Sequence, residues 1–122
     1  MNGLSNIYSD TILLAQGSSV TATRNSYGPP AGSVMLGYAV GNTATANTFN
    51  NLSAYIPNYT ASNFKQIISD SVGENNSATD NLINLSSCLI RSTSPITSLT
   101  FSANGNSFNQ YSTFTLYGIT KG

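Results

Sequence analysis

The chain contains no histidine and a single cysteine, Cys88. The first absence removes the commonest general base and metal ligand at neutral pH. A lone cysteine rules out an internal disulfide, and with no histidine to activate it Cys88 reads as a small buried core residue rather than a nucleophile. Charge is equally scarce, at 7% of residues, and sums to zero. The four bases (Arg24, Lys65, Arg91, Lys121) and four acids (Asp10, Asp70, Glu74, Asp80) are scattered singly. Nucleic-acid binding by counterion release needs a basic patch, which this distribution does not provide. Asp70, Glu74 and Asp80 bracket a loop with Asn75 and Asn76, but their spacing matches no EF-hand, and a solvated loop is the better reading. So few acids also disfavour a glycosidase carboxylate pair. No apolar run approaches a membrane span, and the first sixteen residues lack the basic and apolar regions of a signal peptide. The expectation is a non-enzymatic chain with no cofactor, no bound metal, no nucleic-acid partner and no membrane insertion.

What fills the space is polar and uncharged. Asn, Ser and Thr together make up roughly two residues in five. These side chains compete for backbone hydrogen bonds and disfavour helices, while Thr favours strands. Disorder is the competing reading of so polar a chain. It usually requires high net charge and few aromatics, whereas this chain has zero net charge with seven Tyr and five Phe. At 122 residues the chain is long enough to bury one core. Residues 1–122 are therefore expected to form a single domain, whether alone or as the C-terminal module of a larger architecture.

Eight strands are predicted. Residues 11–15 and 20–23 form a hairpin about the turn at 16–19, and Pro29-Pro30 places 25–32 in a loop. Residues 33–40 alternate cleanly, with Val34, Leu36, Tyr38 and Val40 on one face and the small Gly37 and Ala39 on the other. Strands follow at 49–57, 64–72 and 82–92. A final hairpin, 96–103 and 111–119 around Asn104-Gly105-Asn106, carries apolar residues on both faces and is expected to be the centre of the core. Short strands between Gly, Asn and Pro turns predict an all-β, antiparallel β-sandwich or jelly roll. Its expected core is Leu36, Ile56, Ile68, Leu85, Leu99, Phe114 and Leu116, and truncating Leu116 to Ala would then cost about 2–5 kcal/mol.

Tyrosine rings stack on sugar C–H groups, and neighbouring amides hydrogen-bond sugar hydroxyls. Tyr27, Tyr59 and Tyr111 lie in or beside predicted loops and are the candidate glycan or partner contacts, against the alternative that each caps the core. Met35 lies opposite Leu36, and Phe49 and Tyr55 lie opposite Leu52 and Ile56. One sandwich has one interior, so the second apolar set calls for cover from another copy.

Tyr55-Ile56-Pro57-Asn58-Tyr59, Asp70 to Asn76 (DSVGENN), Ile96-Thr97-Ser98-Leu99 and Gln110 to Ile119 (QYSTFTLYGI) occur in that order. This resembles the C-terminal β-domain of a group of tailed-bacteriophage virion proteins, over roughly residues 34–119, with the closing LYGI its most specific part. The resemblance implies a structural component at the virion surface, of tail-fibre, head-fibre or decoration type, acting in host attachment. It also implies self-association, best as a homotrimer, with other virion proteins and a host surface glycan as further partners. Such domains look to have strands upstream of the point where Met1 begins. The alternative reading is a carbohydrate-binding module or extracellular adhesin domain.

Overall fold

A computed structural model describes residues 7–27, 32–41, 44–76, 81–104 and 107–120. Among them are five strands and no helix: β1 (Tyr8–Gln16), β2 (Ser19–Tyr27), β3 (Asn50–Tyr55), β4 (Lys65–Gly73) and β5 (Leu82–Ile90). They pair antiparallel throughout, in the order β2-β1-β5-β4-β3. The all-β, antiparallel architecture is the expected one. The sheet is single, however, and the second sheet of a sandwich or jelly roll does not form among the described residues. The β1–β2 hairpin closes with Gln16 opposite Ser19. Gly17 takes φ 56° in that turn, a left-handed conformation that costs glycine little.

Register divides the strands into two faces. On the covered face Tyr8, Asp10 and Ile12 of β1 lie beside Ile90, Cys88 and Ser86 of β5, with Lys65, Ile67 and Ser69 of β4 on the far side. All nine are buried. Tyr8, Ile67, Cys88 and Ile90 form the apolar cluster, and Ile7, Val34, Leu36, Ile56 and Ile96 pack against it. The other half of this face is polar: Asp10, Ser69, Ser71, Asn84 and Ser86 are buried with it.

The reason is the element that covers it. Residues 33–40, predicted as a strand, instead run as an extended strap over the sheet with no ladder of their own. The strap's backbone groups bond to sheet side chains. The Met35 amide donates to Asp10 Oδ2 at 3.2 Å, and Cys88 Sγ donates to the Met35 carbonyl at 3.4 Å. Ser69 Oγ donates to the Leu36 carbonyl at 2.7 Å, with Asn84 Nδ2 more distant at 3.5 Å. The Tyr38 amide donates to Ser71 Oγ at 3.2 Å, and Asn50 Nδ2 donates to the Tyr38 carbonyl at 3.4 Å. Those partners sit in turn on β1, β5, β4 and β3, so the strap crosses the sheet. Buried backbone must be satisfied somewhere, and here serines, asparagines and one aspartate do it. A second tie holds residues 92–96: the buried Lys65 donates through Nζ to the Ser92 and Ser94 carbonyls at 3.2 and 2.7 Å.

The final hairpin is corrected. Residues 96–102 and 107–120 contain no strand, and Ala103 makes only a lone bridge. Phe114 and Leu116, expected in the core, are exposed, as are Ile68 and Leu85 on the sheet's other face. Leu36, Ile56 and Leu99 are half-buried. The strap already occupies the covered face, so the last segment does not pack there. Its aromatic residues gather locally, Phe114 lying 5.2 Å from Phe101 and 4.9 Å from Phe108 between ring centroids.

Candidate interaction surface

The second face of the sheet is uncovered among the described residues. Two rows of cross-strand neighbours run over it: Val20, Ala15, Ile83 and Val72, then Ala22, Leu13, Leu85 and Asp70. Val20, Leu13, Ile83, Leu85 and Val72 are all exposed, as are Ile68 and Tyr55 further along. Within the strands this face carries two charges, Arg24 on β2 and Asp70 on β4, of opposite sign and on either side of the central β5. Asp70 accepts a hydrogen bond from Ser53 on β3. Five strands at ~4.8 Å spacing and up to nine residues at ~3.3 Å rise give a face of roughly 700 Å². That is close to the ~800 Å² each partner contributes to a standard interface.

A second uncovered region is the last segment. Leu116, Tyr117 and Ile119 are 82%, 82% and 79% exposed. Residues 112–120 contain no charged side chain and belong to no ladder. A turn launches them: the Ser112 amide donates to the Asn109 carbonyl at 3.1 Å, and Tyr111 takes φ 73°. For an aromatic residue that backbone region is strained.

The three tyrosines do not converge. Tyr27 ends β2 opposite Tyr8, and its side chain lies outside the described residues. Tyr59 is exposed in the turn after β3, where its carbonyl accepts from the Ile96 amide at 2.9 Å. β2 and β3 are opposite edges, four strand spacings or ~19 Å apart, so Tyr27 and Tyr59 cannot share one small ligand. Tyr111, 88% exposed, stands at the start of the uncovered segment.

Other chemistry is sparse. Cys88 lies in the core, where burial first and the Asp10 carboxylate second push its thiol up to about 12. Burial likewise raises the Tyr8 phenol. Asp10 accepts from Asn25 Nδ2 at 2.9 Å as well as from the strap. No group of three or more His, Cys, Asp or Glu able to hold a metal forms among the described residues, and Asp80 lies outside them. Glu74 turns back to accept from the Asn76 amide. An open pocket of about 200 Å³ sits where the strap meets the β4–β5 end of the sheet, lined by Gln16, Tyr38, Val40, Asn75 and Leu82 among others and by no Asp, Glu, Lys or Arg.

The residues that make this surface were missed in the sequence, apart from Tyr55. The readable signal was the apolar alternate set Ile83, Leu85 and Leu89 in β5, set against Asn84, Ser86 and Cys88. Polarity suggested that the second set faced water, whereas it faces the strap. No protein-family model, curated protein or solved structure matches the chain.

Proposed function

We propose that the chain is a non-enzymatic, self-associating β-module of a tailed-bacteriophage virion, of fibre or decoration type, working at the particle surface as a homotrimer against other virion proteins. The observation that carries the self-association is that the apolar segment 112–120 and one apolar face of the sheet are both uncovered among the described residues. Exposed patches of this size on a soluble protein mark interaction sites. The virion assignment rests on the resemblance of the closing Leu116-Tyr117-Gly118-Ile119. Low charge suits such a module, because little long-range repulsion keeps identical copies apart.

Size exclusion with light scattering at low micromolar concentration tests this reading, with three chain masses as the expected result. A folded monomer at that concentration would defeat it. The second reading, a carbohydrate-binding module or adhesin domain, draws on the exposed rings of Tyr59 and Tyr111. It predicts a monomer whose glycan-array signal falls on Tyr59→Ala or Tyr111→Ala.

A further inference from the structure

We infer that residues 112–120 of one copy add as a strand to the free edge of β2 in a second copy, extending its sheet and its open face. This rests on the self-association proposed above and names the two surfaces that meet.

Both partners are incomplete. β2 is first in the sheet order, so one side of its backbone has no ladder partner among the described residues. Residues 112–120 are equally without a ladder. An edge strand and an unpaired segment satisfy each other's backbone groups by strand addition.

Side chains agree as well. On β2 the open-face set is Val20, Ala22 and Arg24, and the covered-face set is Thr21, Thr23 and Asn25. The segment alternates in the same way, Phe114, Leu116 and Gly118 against Thr113, Thr115 and Tyr117. One registration therefore puts Phe114 and Leu116 beside Val20 and Ala22, and threonines beside threonines. Aromatic or apolar neighbours and Thr–Thr pairs are the favourable cross-strand combinations. The opposite edge is a poorer acceptor: β3 has six residues, and its open-face set is Asn51, Ser53 and Tyr55.

The donor is another copy: the chain leading to the segment starts beside β4 and the β3–β4 turn, on the side of the sheet away from β2, and the segment forms no ladder with its own β2. A contact between one patch and a different patch on the next copy is head-to-tail, and it closes into a ring when the rotation permits, three copies included.

The full-length chain tests this by cysteine cross-linking between separate copies. Leu116→Cys protein is mixed with Val20→Cys, Ala22→Cys or Arg24→Cys protein and oxidised at pH 8, with Ser53→Cys on β3 as the control edge. Buried Cys88 is common to all. A disulfide needs Cβ atoms ~3.8 Å apart, so only neighbouring strands will link. The expected result is a mixed dimer from at least one β2 partner and none from Ser53→Cys, with Leu116→Asp reducing the wild-type mass to one chain. An oligomer that links through Ser53→Cys, links nowhere, or survives Leu116→Asp overturns the strand addition and leaves self-association standing. A monomeric wild type overturns both.

Discussion

Asn84 is fully buried on β5, and its Oδ1 has no hydrogen-bond partner among the described residues. Its Nδ2 donates to Ser86 Oγ at 2.9 Å and reaches the Leu36 carbonyl only at 3.5 Å. An orphaned buried acceptor carries a desolvation cost of about 1–3 kcal/mol. The Leu36 carbonyl keeps the better bond from Ser69 whatever stands at position 84. The near-isosteric Asn84→Leu should therefore change unfolding free energy by less than about 1 kcal/mol, or raise it, while Ser69→Ala should lower it by about 1–2 kcal/mol. Urea denaturation of both variants checks the pair, and the reverse order would show that Asn84 holds the strap. Cys88 supplies a pH test. Its folded thiol keeps the proton until about 12, whereas the unfolded thiol loses it near the ordinary value of 9. Between those values unfolding releases a proton, so this contribution is intact below pH 9 and is lost as pH rises toward 12. The melting temperature of the wild type should then fall more steeply over that interval than that of Cys88→Ala. Equal slopes would show that the thiol is not what titrates.

At the scale of elements, the strap decides both what is buried and what could be read beforehand. It lies so close that a Cβ on Gly37 would fall 2.5 Å from Ser71 Oγ, 2.7 Å from Ser71 Cβ and 2.8 Å from Leu52 Cδ1. Gly37→Ala should cost about 1–3 kcal/mol, by forcing the strap off β4. A loss below about 0.3 kcal/mol in the same denaturation assay would mean the strap shifts freely. The hairpin of β1 and β2 and the strands β3, β4 and β5 were legible, because Gly17, Pro57 and the Gly73–Asn81 loop punctuate runs of β-branched residues. The strap was not, since Val34, Leu36, Tyr38 and Val40 alternate as a strand does. What distinguishes it is where its backbone bonds go, and those partners are side chains distant in sequence. The core was half legible for the same reason. Ile67 and Cys88 share a face with Ser69 and Asn84, so polarity pointed to the wrong side, and Ile68 and Leu85 seemed the better core residues. The last segment misled differently: an apolar pattern on both faces reads as a covered strand, and sequence cannot say whether the cover belongs to the same chain. Tyr59 and Tyr111, expected in or beside loops, lie in exposed turns, but the width of the sheet that separates Tyr27 from Tyr59 follows from strand order alone.

For the whole molecule, the decisive quantity is how much stability one chain can hold by itself. The covered face buries a small apolar cluster diluted with serines and an asparagine, and Leu116, Tyr117 and Ile119 of the last segment stay largely exposed. In a lone chain Leu116→Ala would remove little buried surface, so a loss of 2–5 kcal/mol, as for a core leucine, is not expected there. In an assembly the same side chain packs against another copy, and its contribution enters through association. Stability linked to association grows with protein concentration, because the bound state is favoured by mass action. The melting temperature of the wild type should thus rise across a range from about 1 to 100 μM chain, by several degrees for a domain of this size. Leu116→Ala should lie close to the wild type at the dilute end and fall progressively below it at the concentrated end. Leu116→Asp should melt at one temperature throughout, since a buried unpaired carboxylate in the interface opposes assembly. Differential scanning fluorimetry over that series provides the measurement. A wild-type melting temperature independent of concentration, with Leu116→Ala offset by a constant amount, would place Leu116 in the core of its own chain and return the segment to a single-chain role.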